Sequence, residues 1–173
     1  TYRALIDIHT NTDGGLNASS KGTKIFNNIF YTRNRVLNIW VYEEACLEGF
    51  ECDYNIYWCE SGEPVFRIGN KFKSFSQWQA MGYDKHSLVI NPGFDDYSNF
   101  VPKERLNYGK NLGEELKVGL AVDAVWSNIS PQAAFQDDVW QVGARIFEKS
   151  TDIDEPLDKT TLIYPNPAKG HFY

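Results

Sequence analysis

No run of apolar residues is long enough to cross a bilayer as a helix, and Thr1 does not open a signal peptide. Positive charge is also short: 17 Lys and Arg stand against 23 Asp and Glu, a formal net charge of −6. Phosphate contacts call for a basic surface, so nucleic acid is excluded as the main partner. Cysteine is limited to Cys46, Cys52 and Cys59. These do not match a zinc pattern, which needs four ligands and tighter pairs, and no metal site is expected. For an exported chain two arrangements stand open: a Cys46–Cys52 disulfide closing a long loop with Cys59 free, or three small buried thiols.

Aromatic residues, at 15%, and apolar residues, at 42%, exclude a disordered chain, and 173 residues suffice for one domain with a core and a tail. The opening Tyr2-Arg3-Ala4-Leu5-Ile6 is already strand-like. The sequence is therefore expected to be the C-terminal portion of a longer protein, with room for an active site upstream of Thr1.

Two stretches echo each other, Asn27-Asn28-Ile29-Phe30-Tyr31 and Asp53-Tyr54-Asn55-Ile56-Tyr57-Trp58. Placing Asn28 on Asn55 aligns Ile29 with Ile56, Phe30 with Tyr57 and Tyr31 with Trp58, a shift of 27 residues. Ile6-Asp7-Ile8, Leu37-Asn38-Ile39 and Phe66-Arg67-Ile68 recur at 31 and 29 residues with an apolar, polar, apolar pattern. Strands at this interval, with turn residues between, predict stacked turns of a solenoid with Asn28 and Asn55 forming a polar ladder at a bend. An antiparallel sandwich is the alternative, though its strands would recur at about 8 to 12 residues.

Strands are expected over 23–26, 29–32 and 36–41, and again over 50–52, 56–59 and 65–68, with an acidic loop over 43–51. Ser74 and Gln77 form a capping box before a short helix that Gly82 ends. From Asn91 to Gln136 the regularity is lost; strands are expected at 118–122 and 139–147, with Phe94, Phe100, Leu106, Trp126 and Phe135 packing as a lid. Asp13-Gly14-Gly15 reads as a turn, because the alternating ligands of a calcium loop are missing. Residues 149–161 are an acidic linker.

The run from Lys24 to Trp58 is similar to the right-handed parallel β-helix of the pectate-lyase-like superfamily. The phrases Phe75–Ala80, Gly82-Tyr83-Asp84, Ser87 and Asn91–Phe94 resemble the segment after the last coils of bacterial members. Trp140–Glu148 resembles their closing phrase, departing from it at Gln141 and Arg145. The expected fold is all-β, the C-terminal coils and cap of a β-helix over 1–148 with one short helix. Residues 162–173, with Tyr164-Pro165-Asn166-Pro167 and then Gly170, resemble the start of the C-terminal sorting domain of the type IX secretion system of Bacteroidetes. The resemblance implies a secreted or cell-surface protein that passes through the periplasm and binds or degrades polysaccharide, as a lyase or glycosidase with its catalytic centre upstream. A non-catalytic adhesin or structural solenoid on the same export route is the other class. Ca²⁺ enters as a cofactor only through the family's lyases.

If 6, 8, 37, 39, 66 and 68 point inward, alternation turns Asp7, Asn38 and Arg67 outward beside His9 and Trp40. An aromatic ring covers the apolar side of a pyranose while planar polar groups satisfy its hydroxyls, so these five are the candidate substrate-binding residues. The bland alternative is a solvated polar ladder. Arg67 and His9 fall about 10 Å apart at strand spacing, too far for one proton transfer, and no carboxylate pair suits hydrolysis. No catalytic residue is assigned.

Overall fold

The structure is a computed structural model that describes residues 3–10, 20–98, 100–112 and 139–144. The expected turn at 11–15, the strand at 118–122, Trp126, Phe135, the linker and the sorting phrase lie outside the described residues. The described elements are β1 (Ala4–Ile8), β2 (Lys24–Phe26), β3 (Ile29–Thr32), β4 (Leu37–Val41), a 3-10 turn (Glu44–Leu47), β5 (Glu51–Asp53), β6 (Ile56–Cys59), β7 (Val65–Ile68), β8 (Lys71–Ser74), α1 (Phe75–Ala80), β9 (Leu88–Val89), β10 (Phe94–Asp96) and β11 (Val101–Pro102).

Strands one repeat apart pair in parallel. Ile29 lies opposite Ile56 and Tyr31 opposite Trp58, the register that the echo demands. Lys24 to Phe26 likewise faces Glu51 to Asp53. At the bend between them, Asn27 and Tyr54 take positive φ of 58° and 56°, turning the chain sharply from β2 into β3 and from β5 into β6. The ladder forms there: Asn55 Oδ1 accepts from the Asn28 N–H at 2.9 Å and from Asn28 Nδ2 at 3.2 Å.

The architecture, however, corrects the expected right-handed β-helix. These strands make several small sheets, and none is closed or runs on as a solenoid. One is four-stranded and mixed, in the order β1-β4-β7-β8; β3-β6-β9 and β2-β5 are parallel, and β10-β11 is antiparallel. Local chemistry ends each repeat. After Ile68, Gly69 at φ +53° turns the chain back so that Ile68 pairs with Lys71 and β8 runs antiparallel along β7. That hairpin occupies the edge where a further parallel strand would pair. Beside β5, the loop amide of Asp84 takes the Cys52 carbonyl at 2.6 Å instead of a strand. β9 contributes only two residues. Over 139–144 the expected strand is a single antiparallel bridge, Trp140 to Gly109.

Inward side chains of the mixed sheet and of the two parallel sheets share one core, in which Ile8, Ile25, Phe30, Ile39, Val41, Tyr57 and Phe66 are buried together with Phe50 and Trp78. Full burial of a single such side chain is worth about 1.5–3 kcal/mol. Phe30 stacks on Tyr57 at 4.9 Å and Phe66 on Trp78 at 4.8 Å, so rings one repeat or one element apart lie flat on each other. α1 carries Trp78 into this core, and both halves of the expected capping box form at its start. Of the lid residues, Phe94 and Leu106 are buried, but Phe100 remains exposed.

Candidate functional site

The outer face of the four-stranded sheet gathers the sequence-predicted residues in a different register from the one expected. Ile6 pairs with Ile39 and Ile39 with Phe66, so Asp7, Trp40 and Arg67 form one cross-strand row. The alignment on Leu37 was two residues off. A shift of two leaves every side chain on its face, which is why the inward and outward assignment survives.

Asn38 is the exception, and its outward placement is corrected. The register between β4 and β7 slips between Leu37 and Ile39. This bulge turns Asn38 inside, where it is 3% exposed and its Oδ1 accepts the Val65 N–H at 3.1 Å. Asn38 therefore supplies backbone satisfaction at an irregular point of the sheet.

Arg67 is 9% exposed, and its Nη2 donates to Asn70 Oδ1 at 2.8 Å. Its guanidinium carbon sits 4.2 Å from the Trp40 ring centroid and 5.3 Å from that of Phe72. Trp40 in turn stacks on Tyr42 at 3.9 Å and 15° and donates its indole N–H to the Gly69 carbonyl at 3.3 Å. His9, exposed, lies 5.4 Å from the Tyr42 ring. The result is a continuous series across the sheet: Phe72, Arg67, Trp40, Tyr42, His9. Trp40 and Arg67 are its held interior, while Tyr42, 41% exposed, and Phe72, 50% exposed, are its open rings. Asp7, exposed on β1, adds a carboxylate beside Trp40.

Tyr42 and Phe72 were missed, although each had a signal. Tyr42 stands two residues from Trp40, hence on the same side. Phe72 is opposite Arg67 once Gly69-Asn70 is read as a two-residue hairpin loop.

A second polar cluster is wholly internal. Asp84, fully buried at φ 49°, accepts from Trp78 Nε1 at 2.7 Å, Tyr57 Oη at 3.0 Å, Cys52 Sγ at 3.0 Å and Asn55 Nδ2 at 3.0 Å, with the Ser87 hydroxyl as a further donor. Burial, then the adjacent Asp84 carboxylate, pushes the Cys52 thiol far up; burial, then Cys52 and Asp84, does the same to the Tyr57 phenol. Neither is a nucleophile or a base. The cluster fastens the loop after α1 to β5 and β6, and residues of the phrase 75–87 supply three of its members.

All three cysteines are free and buried, so the Cys46–Cys52 disulfide does not form and the buried-thiol arrangement holds. Burial raises the Cys59 thiol, but hydrogen bonds from Thr32, Ser61 and the Gly62 backbone outweigh it and set it below its ordinary value. Among the described residues no three His, Cys, Asp or Glu side chains gather to hold a metal, so Ca²⁺ rests on the family resemblance alone. None of their helices is long and apolar enough to cross a membrane. Tyr164, Pro165, Asn166, Pro167 and Gly170 lie outside the described residues. No family model, curated protein or solved structure matches the chain.

Proposed function

We propose that this protein binds polysaccharide through the outer face of its four-stranded sheet. The observation that carries the reading is the pair of exposed rings, Tyr42 and Phe72, held on one face by the Trp40–Arg67 contact between them. Fixed aromatic surface flanked by Asp7 and His9 suits sugars, whose rings have an apolar side and a polar rim. Arg67 acts here by positioning the rings, since its guanidinium is buried among them.

Binding without cleavage is favoured over lyase or glycosidase action at this face. The Arg67 guanidinium is engaged with Asn70 and with the Trp40 and Phe72 rings. We further propose export to the cell surface by type IX secretion; the support is the Tyr164-Pro165-Asn166-Pro167 phrase with Gly170.

The test is retention of the full chain on a panel of immobilised plant and bacterial polysaccharides, with wild type compared against the Tyr42→Ala/Phe72→Ala double variant. Stacking worth about 1–3 kcal/mol per ring, by analogy with bases stacked on aromatic side chains, predicts at least a tenfold loss for the variant. Retention on no polysaccharide, or equal retention of both proteins, would refute the reading. Release of unsaturated uronides absorbing in the ultraviolet would show cleavage instead.

A further inference from the structure

The two-residue loop between β7 and β8, Gly69-Asn70, touches both held members of the sheet face. Gly69 reaches back to β4: its N–H donates to the Val41 carbonyl at 2.8 Å, and its own carbonyl takes the Trp40 indole N–H at 3.3 Å. Asn70 reaches β7 through its side chain, whose Oδ1 accepts from Arg67 Nη2 at 2.8 Å. One residue of the loop fixes the indole and the next fixes the guanidinium.

An asparagine in a tight hairpin is ordinarily explained by its backbone, because it tolerates positive φ better than most side chains do. That explanation fails at Asn70. Gly69 carries the positive φ of this loop, at 53°, and Asn70 is not among the described residues of positive φ. The carboxamide is therefore not needed to shape the turn. A guanidinium has donors only, so the amide oxygen is the group that must face Arg67. Its hydrogen bond is made at one end of the guanidinium, which fixes the rotation of a plane that lies 4.2 Å from the Trp40 ring and 5.3 Å from that of Phe72. Phe72 stands on β8, the outermost strand of this sheet, and joins the row through Arg67.

We infer that Asn70 is a positioning residue for glycan binding at the sheet face. It holds the guanidinium against Trp40 and so keeps the open rings of Tyr42 and Phe72 in the arrangement that a sugar meets. The inference rests on the reading of this face as a polysaccharide site. Without the Asn70 side chain the guanidinium can turn about its stem, and binding must then order it at a cost in affinity.

The experiment measures retention of the full chain on the immobilised polysaccharide that holds wild type most strongly, for wild type, Tyr42→Ala/Phe72→Ala, Asn70→Ala and Asn70→Asp. Asn70→Ala is expected to bind about fivefold more weakly, the worth of about one hydrogen bond, with its far-UV spectrum unchanged. Asn70→Asp should bind like wild type, since a carboxylate accepts the same bond from Arg67. A second readout needs no glycan. The Arg67 side-chain protons lie beside two aromatic rings, so their NMR signals should be displaced by ring currents in wild type and Asn70→Asp and return toward ordinary positions in Asn70→Ala. Asn70→Ser, too short to reach Arg67 and suited to a turn, takes the place of Asn70→Ala if that variant misfolds. The inference alone is overturned if the double variant loses binding while Asn70→Ala binds like wild type, if Asn70→Asp binds as weakly as Asn70→Ala, or if the Arg67 signals stay in place. Retention of wild type on no polysaccharide, or equal retention of the double variant, overturns the reading of the face and this inference with it.

Discussion

The guanidinium carbon of Arg67 lies 4.2 Å from the ring centroid of Trp40 on the neighbouring strand, and Tyr42 stacks on the same indole. Trp40 is thus already engaged by protein and is not itself an open platform. A desolvated cation–π contact is worth about 2 kcal/mol and a stacked ring pair about 0.5–1.5 kcal/mol. Trp40→Ala is therefore expected to cost about 2–3 kcal/mol in a urea titration. Phe72→Ala, at an exposed ring, should stay within about 0.5 to 1 kcal/mol of wild type. Equal costs for the two would mean that the ring series does not hold the face.

Asp84 is the second sensitive point. Asp84→Ala leaves buried donors on Trp78, Tyr57, Cys52, Asn55 and Ser87 without their acceptor. Each unsatisfied buried donor costs about 1–3 kcal/mol, so a loss of at least about 3 kcal/mol is expected, measurable as a large fall in Tm. A variant with wild-type Tm would show that the cluster is incidental.

The same cluster sets an alkaline limit. Cys52 and Tyr57 are acids held above their ordinary values of 9.0 and 10.0 in the fold. The unfolded chain loses these protons first. Stability is then fully present below about pH 9 and falls as pH rises, by up to about 1.4 kcal/mol per pH unit for each group. Tyr57→Phe removes one of the two, so its urea midpoint should fall less steeply above pH 10. Parallel curves for variant and wild type would argue against the assignment.

Gly109 admits no side chain. A Cβ there would meet the Trp140 carbonyl oxygen at 2.7 Å, and its own N–H donates to that oxygen at 2.8 Å. Gly109→Ala should push the 139–144 segment off its bridge at a cost of about 1–3 kcal/mol. Hydrogen exchange at Gly109 and Val142 would report it; unchanged protection would contradict the close approach.

Export is tested in the full-length protein in its host. Removal of residues 162 onward should leave the passenger in the periplasm, if the prolines and Gly170 begin a module that the secretion machinery grips. Normal appearance outside the cell would reduce Leu162 to Tyr173 to a turn.

Pairing was legible because parallel neighbours repeat their side chains: Asn28-Ile29-Phe30-Tyr31 over Asn55-Ile56-Tyr57-Trp58 could be aligned by eye. The capping box at Ser74 and Gln77 was legible for a local reason, since both partners lie within one turn. Inward and outward positions followed from the two-residue period of a strand, even where the alignment slipped by two. What only the tertiary structure decided was how far each sheet runs and which outward residues stay exposed. The Gly69-Asn70 hairpin, the two-residue β9 and the Asp84 amide at Cys52 end the sheets, and a repeat pattern does not show where its own edge becomes occupied. Asn38 and Arg67 are polar residues at outward positions by pattern, yet a one-residue bulge buries the first and a cross-strand phenylalanine covers the second. Exposure depends on neighbours brought in from other strands, and a single strand's alternation carries no information about them.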